Sequence, residues 1–166
     1  NAKTGQAEFF EKRCLDRRNN LLKATCALPH LFPPVDFAGN MYFDGGIACP
    51  IPIEKSISAG NENNLIVLTR PLGVQKIVTG ADARIYMSLR RKYPVFAGVF
   101  LNRAFTYNSQ IELCQKLQAE GRAVIIAPKN IDGFHSFERN PQTLYKLYRN
   151  GYDDTNAMIK QIRDLL

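Results

Sequence analysis

Two uninterrupted apolar runs, set among stretches with helical spacing, predict an α/β fold for this chain of 166 residues. Leu65-Ile66-Val67-Leu68 precedes Arg70-Pro71, and Ala123-Val124-Ile125-Ile126-Ala127 is stopped by Pro128. Neither run alternates with polar residues, which is how a strand buried on both faces, such as a parallel one, reads. A hairpin pattern further upstream adds antiparallel strands. The expected architecture is a small mixed sheet with helices and a C-terminal helical extension.

The elements follow in order. Lys3 to Phe10 reads as a turn leading into a short strand, with Thr4-Gly5 supplying the turn and Glu8 to Phe10 the extended run. A turn needs a strand before it, so the chain is expected to start inside a longer domain. Asn19 or Asn20 can cap a short helix through Leu21, Leu22 and Ala24 to Ala27, stopped by Pro29. Val35-Asp36-Phe37 and Met41-Tyr42-Phe43 flank Ala38-Gly39-Asn40 and read as a β-hairpin with a three-residue connection. Asp44-Gly45-Gly46 follows at once, and a short helix is expected from Ile53 to Ser58, ended by Gly60.

Ala81 to Tyr93 has a helical pattern that Pro94 interrupts. A longer helix is expected from about Val95 to Glu120, with Tyr107, Ile111 and Cys114 on one face and Gly121 at its end. Asn140 caps another helix whose first residue is Pro141, because a missing N–H is harmless there. Leu144, Leu147 and Tyr148 form its apolar face, and Gly151 is expected to close it. Asp153 or Asp154 would then start a last helix with a stripe of Met158, Ile162 and Leu165, flanked by Ile159 and Leu166. The chain is read as a single domain, 1–166, with a catalytic half at about 1–70 and a C-terminal extension at about 71–166.

Composition narrows the function classes. Hydrophobic residues make up 45% and charged residues 22%, the balance of a folded globular chain. No apolar run approaches the roughly 18 to 20 residues of a membrane span, and the N-terminus shows no secretory h-region. A cytoplasmic location follows as the expectation. Cys14, Cys26, Cys49 and Cys114 form no CxxC pair, and His30 and His135 fall in no metal-ligand spacing, so neither metal nor cofactor is expected. The net charge of +7 is spread along the chain, with its densest group at Arg90-Arg91-Lys92, which reads as a solvated helix end. No nucleic-acid-binding module accompanies it. The surplus leaves room for peripheral contact with an anionic membrane surface.

Asp44 is the carboxylate of most interest. It ends a strand beside two glycines, which permit a positive φ or close approach of another group, so the acid can meet a neighbouring hydroxyl. By spacing alone, Asp-Gly-Gly is equally a common structural turn. Its surroundings add to this. Ala24-Thr25-Cys26-Ala27-Leu28-Pro29-His30-Leu31-Phe32-Pro33-Pro34-Val35, then Tyr42-Phe43-Asp44-Gly45-Gly46, then Pro50-Ile51-Pro52 resemble the patatin-like phospholipase signature. Leu65 to Pro71, Asn102 with Tyr107-Asn108, and Arg122 to Pro128 with Phe137 to Asn140 and Gly151-Tyr152 extend the resemblance over nearly the whole chain, the last of these matching a bacterial subgroup's C-terminal extension.

The resemblance implies the C-terminal portion of a patatin-like three-layer fold and a serine acyl hydrolase acting on phospholipids or other lipid esters. Asp44 would be the base of a Ser-Asp dyad, with Gly45 and Gly46 shaping its turn. The nucleophile of that family lies in a Gly-x-Ser-x-Gly elbow. Ser56, Ser58, Ser88, Ser109 and Ser136 are the serines present, and none has that flanking. The 166 residues alone are therefore expected to be inactive and, with part of a sheet missing, to self-associate. The other reading open at this point is a non-catalytic binding or regulatory module in which Asp-Gly-Gly is only a turn. A peripheral place at the inner membrane fits the lipid substrate that the resemblance implies.

Overall fold

The computed structural model describes residues 1–135 and 137–165 and is a mixed α/β structure. Its contacts sort the chain into two compact units, each drawn from two separate stretches. The first holds Asn1–Pro52 and Lys76–Gln110, the second Ile53–Gln75 and Ile111–Leu166. The units therefore interleave along the chain.

In the first unit, α1 (Asn20–Thr25) precedes a hairpin of β1 (Val35–Phe37) and β2 (Asn40–Tyr42), paired antiparallel with Asp36 opposite Met41. The connection is two residues long, not three. Ala38 and Gly39 have φ of 51° and 77°, the pair of positive values that a type I′ hairpin turn requires. Asn19 occupies the N-cap of α1, but its side chain bonds nothing in the helix. Asp16 replaces it, accepting the Asn20 N–H at 2.9 Å and the Asn20 side-chain amide at 2.9 Å.

Glu8 to Phe10 forms no strand; its side chains meet the hairpin instead, Glu8 accepting the Tyr42 hydroxyl and Phe10 lying edge-on to Phe37 and Tyr42. α3 (Gly80–Leu89) starts with a capping box. Thr79 Oγ1 accepts the Asp82 N–H and Asp82 Oδ2 accepts the Thr79 N–H, so two donors orphaned at a helix start are satisfied reciprocally. Arg90, Arg91 and Lys92 follow the helix end and are exposed, as a solvated terminus should be. α4 (Pro94–Ala119) follows, and its buried residues Phe96, Ala97, Phe100, Ala104 and Tyr107 recur at helical spacing. Phe96, Ala97 and Phe100 form the unit's core with Ala2, Phe43, Ile47 and Leu89. Phe43 stacks on Phe96 with ring centroids 4.6 Å apart and meets Tyr93 edge-on.

The second unit contains α2 (Ile53–Ser58), β3 (Asn64–Val67), residues 111–119 of α4, β4 (Ala123–Ile126), α5 (Pro141–Ala157) and α6 (Ile159–Leu165). β3 and β4 pair in parallel, Leu65 opposite Val124. β4 is buried throughout, but β3 alternates: Leu65 is 45% and Val67 69% exposed. The expectation of burial on both faces therefore holds for β4 and fails for β3, one face of which is open to solvent. Val124, Ile126, Ile162 and Leu165 form the core, with Met158 packed on it.

The C-terminal helices differ from expectation at their junction. α5 passes through Gly151 and through Asp153 and Asp154 to end at Ala157, and Met158 separates it from α6. Gly151 lacks a positive φ, so it forms no left-handed terminator; a single glycine inside a helix weakens it without breaking it. Asn140 does cap α5, its Oδ1 accepting the Gln142 N–H at 2.9 Å. No residue of α5 is fully buried, and Tyr145, Tyr148 and Tyr152 lie exposed in a row. Ile159 is exposed, and Leu166 lies outside the described residues.

Candidate functional site

The Asp-Gly-Gly turn is built by the hairpin. β2 ends at Tyr42, Phe43 anchors the chain in the core, and the Asp44 N–H donates to the Ala27 carbonyl at 3.1 Å. Gly45–Ile47 then winds into one tight 3-10 turn capped by Asp44, whose Oδ1 accepts the Gly46 N–H at 2.7 Å. The Gly45 carbonyl accepts the N–H groups of Ala48 and Cys49 at 3.2 and 2.9 Å. Neither glycine has a positive φ, so conformational freedom is not why they are needed. Space is tight at both positions. A Cβ on Gly45 would stand 3.2 Å from Thr25 Oγ1, and one on Gly46 would stand 3.0 Å from Asp44 Oδ1.

Asp44 lines a cleft of about 530 Å³ within the first unit. Phe9, Phe10, Leu15, Leu22, Phe43 and Phe96 supply much of its apolar wall, and Thr25 and Cys49 add polar or polarisable atoms. Asp44 itself is half-buried. Burial raises its pKa above the ordinary value, and the Gly46 N–H offsets this only in part, because one hydrogen bond to the carboxylate restores less than the lost water supplied. Apart from Gly46, no described residue hydrogen-bonds to the carboxylate.

Tyr42 also lines the cleft, its hydroxyl donating to Glu8 Oε2. Burial first, then that bond and the negative charge of Glu8, push the phenol up to about 12, while the same hydroxyl holds Glu8 below its ordinary value. At neutral pH the pair is a phenol donating to a carboxylate, and the shift of Glu8 is opposite in direction to that of Asp44.

The other sequence candidates do not gather here. His30 and His135 are exposed loop residues away from the cleft lining. Ser56 donates to Asn64, and Ser58, Ser88 and Ser109 to backbone carbonyls of Lys55, Ile85 and Phe105. None of these serines lines the cleft, and Ser136 lies outside the described residues. The four cysteines form no disulfide; Cys114 is fully buried, and burial pushes its thiol up to about 11. Among the described residues no three His, Cys, Asp or Glu side chains cluster as metal ligands would, and no helix is long and apolar enough to cross a membrane.

Sequence reasoning missed Gln110. Its amide is buried at 4% exposure, with Oε1 accepting the Ile51 N–H at 2.8 Å and Nε2 directed at Cys49 Sγ at 3.7 Å. The available signal was its position, three residues after Tyr107 and four before Cys114, which places a polar residue on the buried stripe of α4. Nothing in the sequence joined Thr25, Glu8 and Tyr42, since three separate segments bring them to one cleft.

Residues 93–166 match a family model described as a domain of unknown function (DUF6363). That match covers under half of the chain and does not reach Asp44. No curated protein and no solved structure matches the chain.

Proposed function

We propose that this chain carries the base of a serine acyl hydrolase, with Asp44 as the aspartate of a Ser-Asp dyad and phospholipids or other lipid esters as substrates. The observation that supports this most is the half-buried Asp44 carboxylate in an apolar cleft, its proton affinity raised by burial. A general base works best with a pKa drawn towards the working pH, and desolvation moves a carboxylate that way. The apolar wall suits an acyl chain. In this reading the fold is part of a patatin-like three-layer architecture. The nucleophilic serine comes from a Gly-x-Ser-x-Gly segment outside these 166 residues, and the chain alone is inactive.

The protein would act in the cytoplasm, meeting its lipid at the inner membrane surface. Leu65 and Val67 on the open face of β3 favour self-association, so light scattering should find a dimer or larger assembly; a monomer at high concentration would count against this. The test of the dyad is labelling of the full-length natural protein with a serine-reactive fluorophosphonate. Asp44→Ala should slow labelling and ester hydrolysis by about 10³-fold or more, the scale on which catalytic-triad members act. Full labelling and full esterase activity in that variant would sink the assignment. A second reading, a binding module without catalysis, is favoured by the absence of a described serine from the cleft lining, and a wild type that never labels would support it.

A further inference from the structure

We infer that Gln110 is a positioning residue for Asp44, its buried amide pinning the Cys49-Pro50-Ile51 segment and, through it, the Asp-Gly-Gly turn. The inference rests on the reading of Asp44 as a base. The connection runs through four hydrogen bonds. Gln110 Oε1 accepts the Ile51 N–H at 2.8 Å, and Nε2 donates to Cys49 Sγ at 3.7 Å. The Cys49 N–H donates to the Gly45 carbonyl at 2.9 Å, and the Gly46 N–H to Asp44 Oδ1 at 2.7 Å.

The sequence leaves this segment few backbone donors of its own. Pro50 and Pro52 have no N–H, so Ile51 supplies the one backbone donor of residues 50–52, and Ile51 is buried. A buried donor must be paired, and Gln110 pairs it. A carboxamide suits the place because it presents an acceptor and a donor on one planar group. Glutamate keeps the acceptor but, when ionised, has no donor for Cys49 Sγ. Methionine, of similar length, offers the Ile51 N–H only a weak sulfur acceptor and has no donor. α4 is a long helix, so it offers the turn a rigid anchor, and a site held by a regular element is more precise than one held by loops alone.

Two measurements test this on Gln110→Met. The first is amide hydrogen exchange, where the Cys49 and Gly46 amides should lose protection while α3 keeps its own. The second is the fluorophosphonate reaction of the full-length protein, where the maximal labelling rate should fall roughly 10- to 100-fold with unchanged half-saturation by the probe, as for a misplaced catalytic group. If the methionine variant does not fold, Gln110→Glu carries the same test and should show a smaller loss of the same sign. A folded variant with wild-type protection at Cys49 and Gly46, or with a wild-type labelling rate, overturns the inference. A wild type that never labels sinks the dyad instead, and the exchange data then decide separately whether Gln110 holds the turn.

Discussion

The two units of this chain are fastened to different degrees by polar side chains. In the first, polar side chains fasten backbone at several points: Asp16 on Asn20, Asp82 on Thr79, Gln110 on Ile51, and Asn108 on both the N–H and the carbonyl of Lys76. Arg103 joins this set, donating to Asp82 Oδ1 at 2.6 Å while its guanidinium lies over Phe100. In the second, a short parallel pair and α6 close on a core of Val124, Ile126, Ile162 and Leu165. Non-repetitive backbone needs partners that a sheet or helix would otherwise supply, and the first unit finds them in side chains. That is also the unit with the cleft, since irregular segments are where a chain can present groups inward without regular pairing.

The first unit is most vulnerable at its aromatic stack. Phe96→Ala should cost about 3 to 5 kcal/mol, since it empties a site packed on Phe43. Urea unfolding would read the loss, and hydrogen exchange should place it in the first unit. A smaller effect, about 2 kcal/mol, is expected for Asp82→Ala, which removes a capping box and leaves Arg103 without its carboxylate.

That second effect depends on pH. Burial raises the pKa of Asp82, but the Thr79 N–H and hydroxyl, together with Arg103, outweigh it and hold the carboxyl below its ordinary value of 3.8. A depressed pKa contributes stability above the unfolded value that is lost as pH falls through the folded one. Wild type and variant should therefore differ fully at neutral pH and converge in acid. A difference that stays flat with pH would show that the Asp82 charge does not fasten the Thr79 backbone.

For the second unit, Gly151→Ala should stabilise α5 by about 0.5 to 1 kcal/mol, because the glycine is helical and a Cβ there meets nothing within 4 Å. Circular dichroism on heating would detect it, and a destabilisation would restore Gly151 as a helix terminator. The smallest change is expected for Asp44→Asn. The raised pKa means that folding disfavours the ionised acid, so stability falls as pH rises from the ordinary value of 3.8 through the folded one. Asparagine keeps an acceptor for the Gly46 N–H and carries no charge. Its Tm should exceed the wild type's at neutral pH, and the advantage should vanish below the ordinary carboxylate range.

The regular elements were the legible part of this molecule. The hairpin, the two strand runs, α2, α4 and the cap of α5 all follow from apolar spacing, turn residues and capping, which are local quantities. Errors fell where a local sign was outvoted. Gly151 signals an end, but the helix continues across it; Asp153 and Asp154 signal a start and lie inside α5 instead. Glu8 to Phe10 has strand character and forms no strand. At the candidate site, the sequence marked Asp44 and its glycines but not the crowding at Gly45, because the neighbour there is Thr25, nineteen positions before Asp44 in the chain. Gln110 was missed for the same reason, since its partner lies across 59 positions of sequence.

The placement of tyrosine has a practical consequence. The chain has seven tyrosines and no tryptophan, so its intrinsic ultraviolet fluorescence is tyrosine emission. Tyr42, Tyr86, Tyr93 and Tyr107 belong to the first unit and are buried or half-buried, whereas Tyr145, Tyr148 and Tyr152 stand exposed on α5. Emission from α5 is already that of a hydrated phenol and changes little when the helix melts. A fluorescence unfolding curve of this protein would therefore follow the unit that contains Asp44 and be nearly blind to the other.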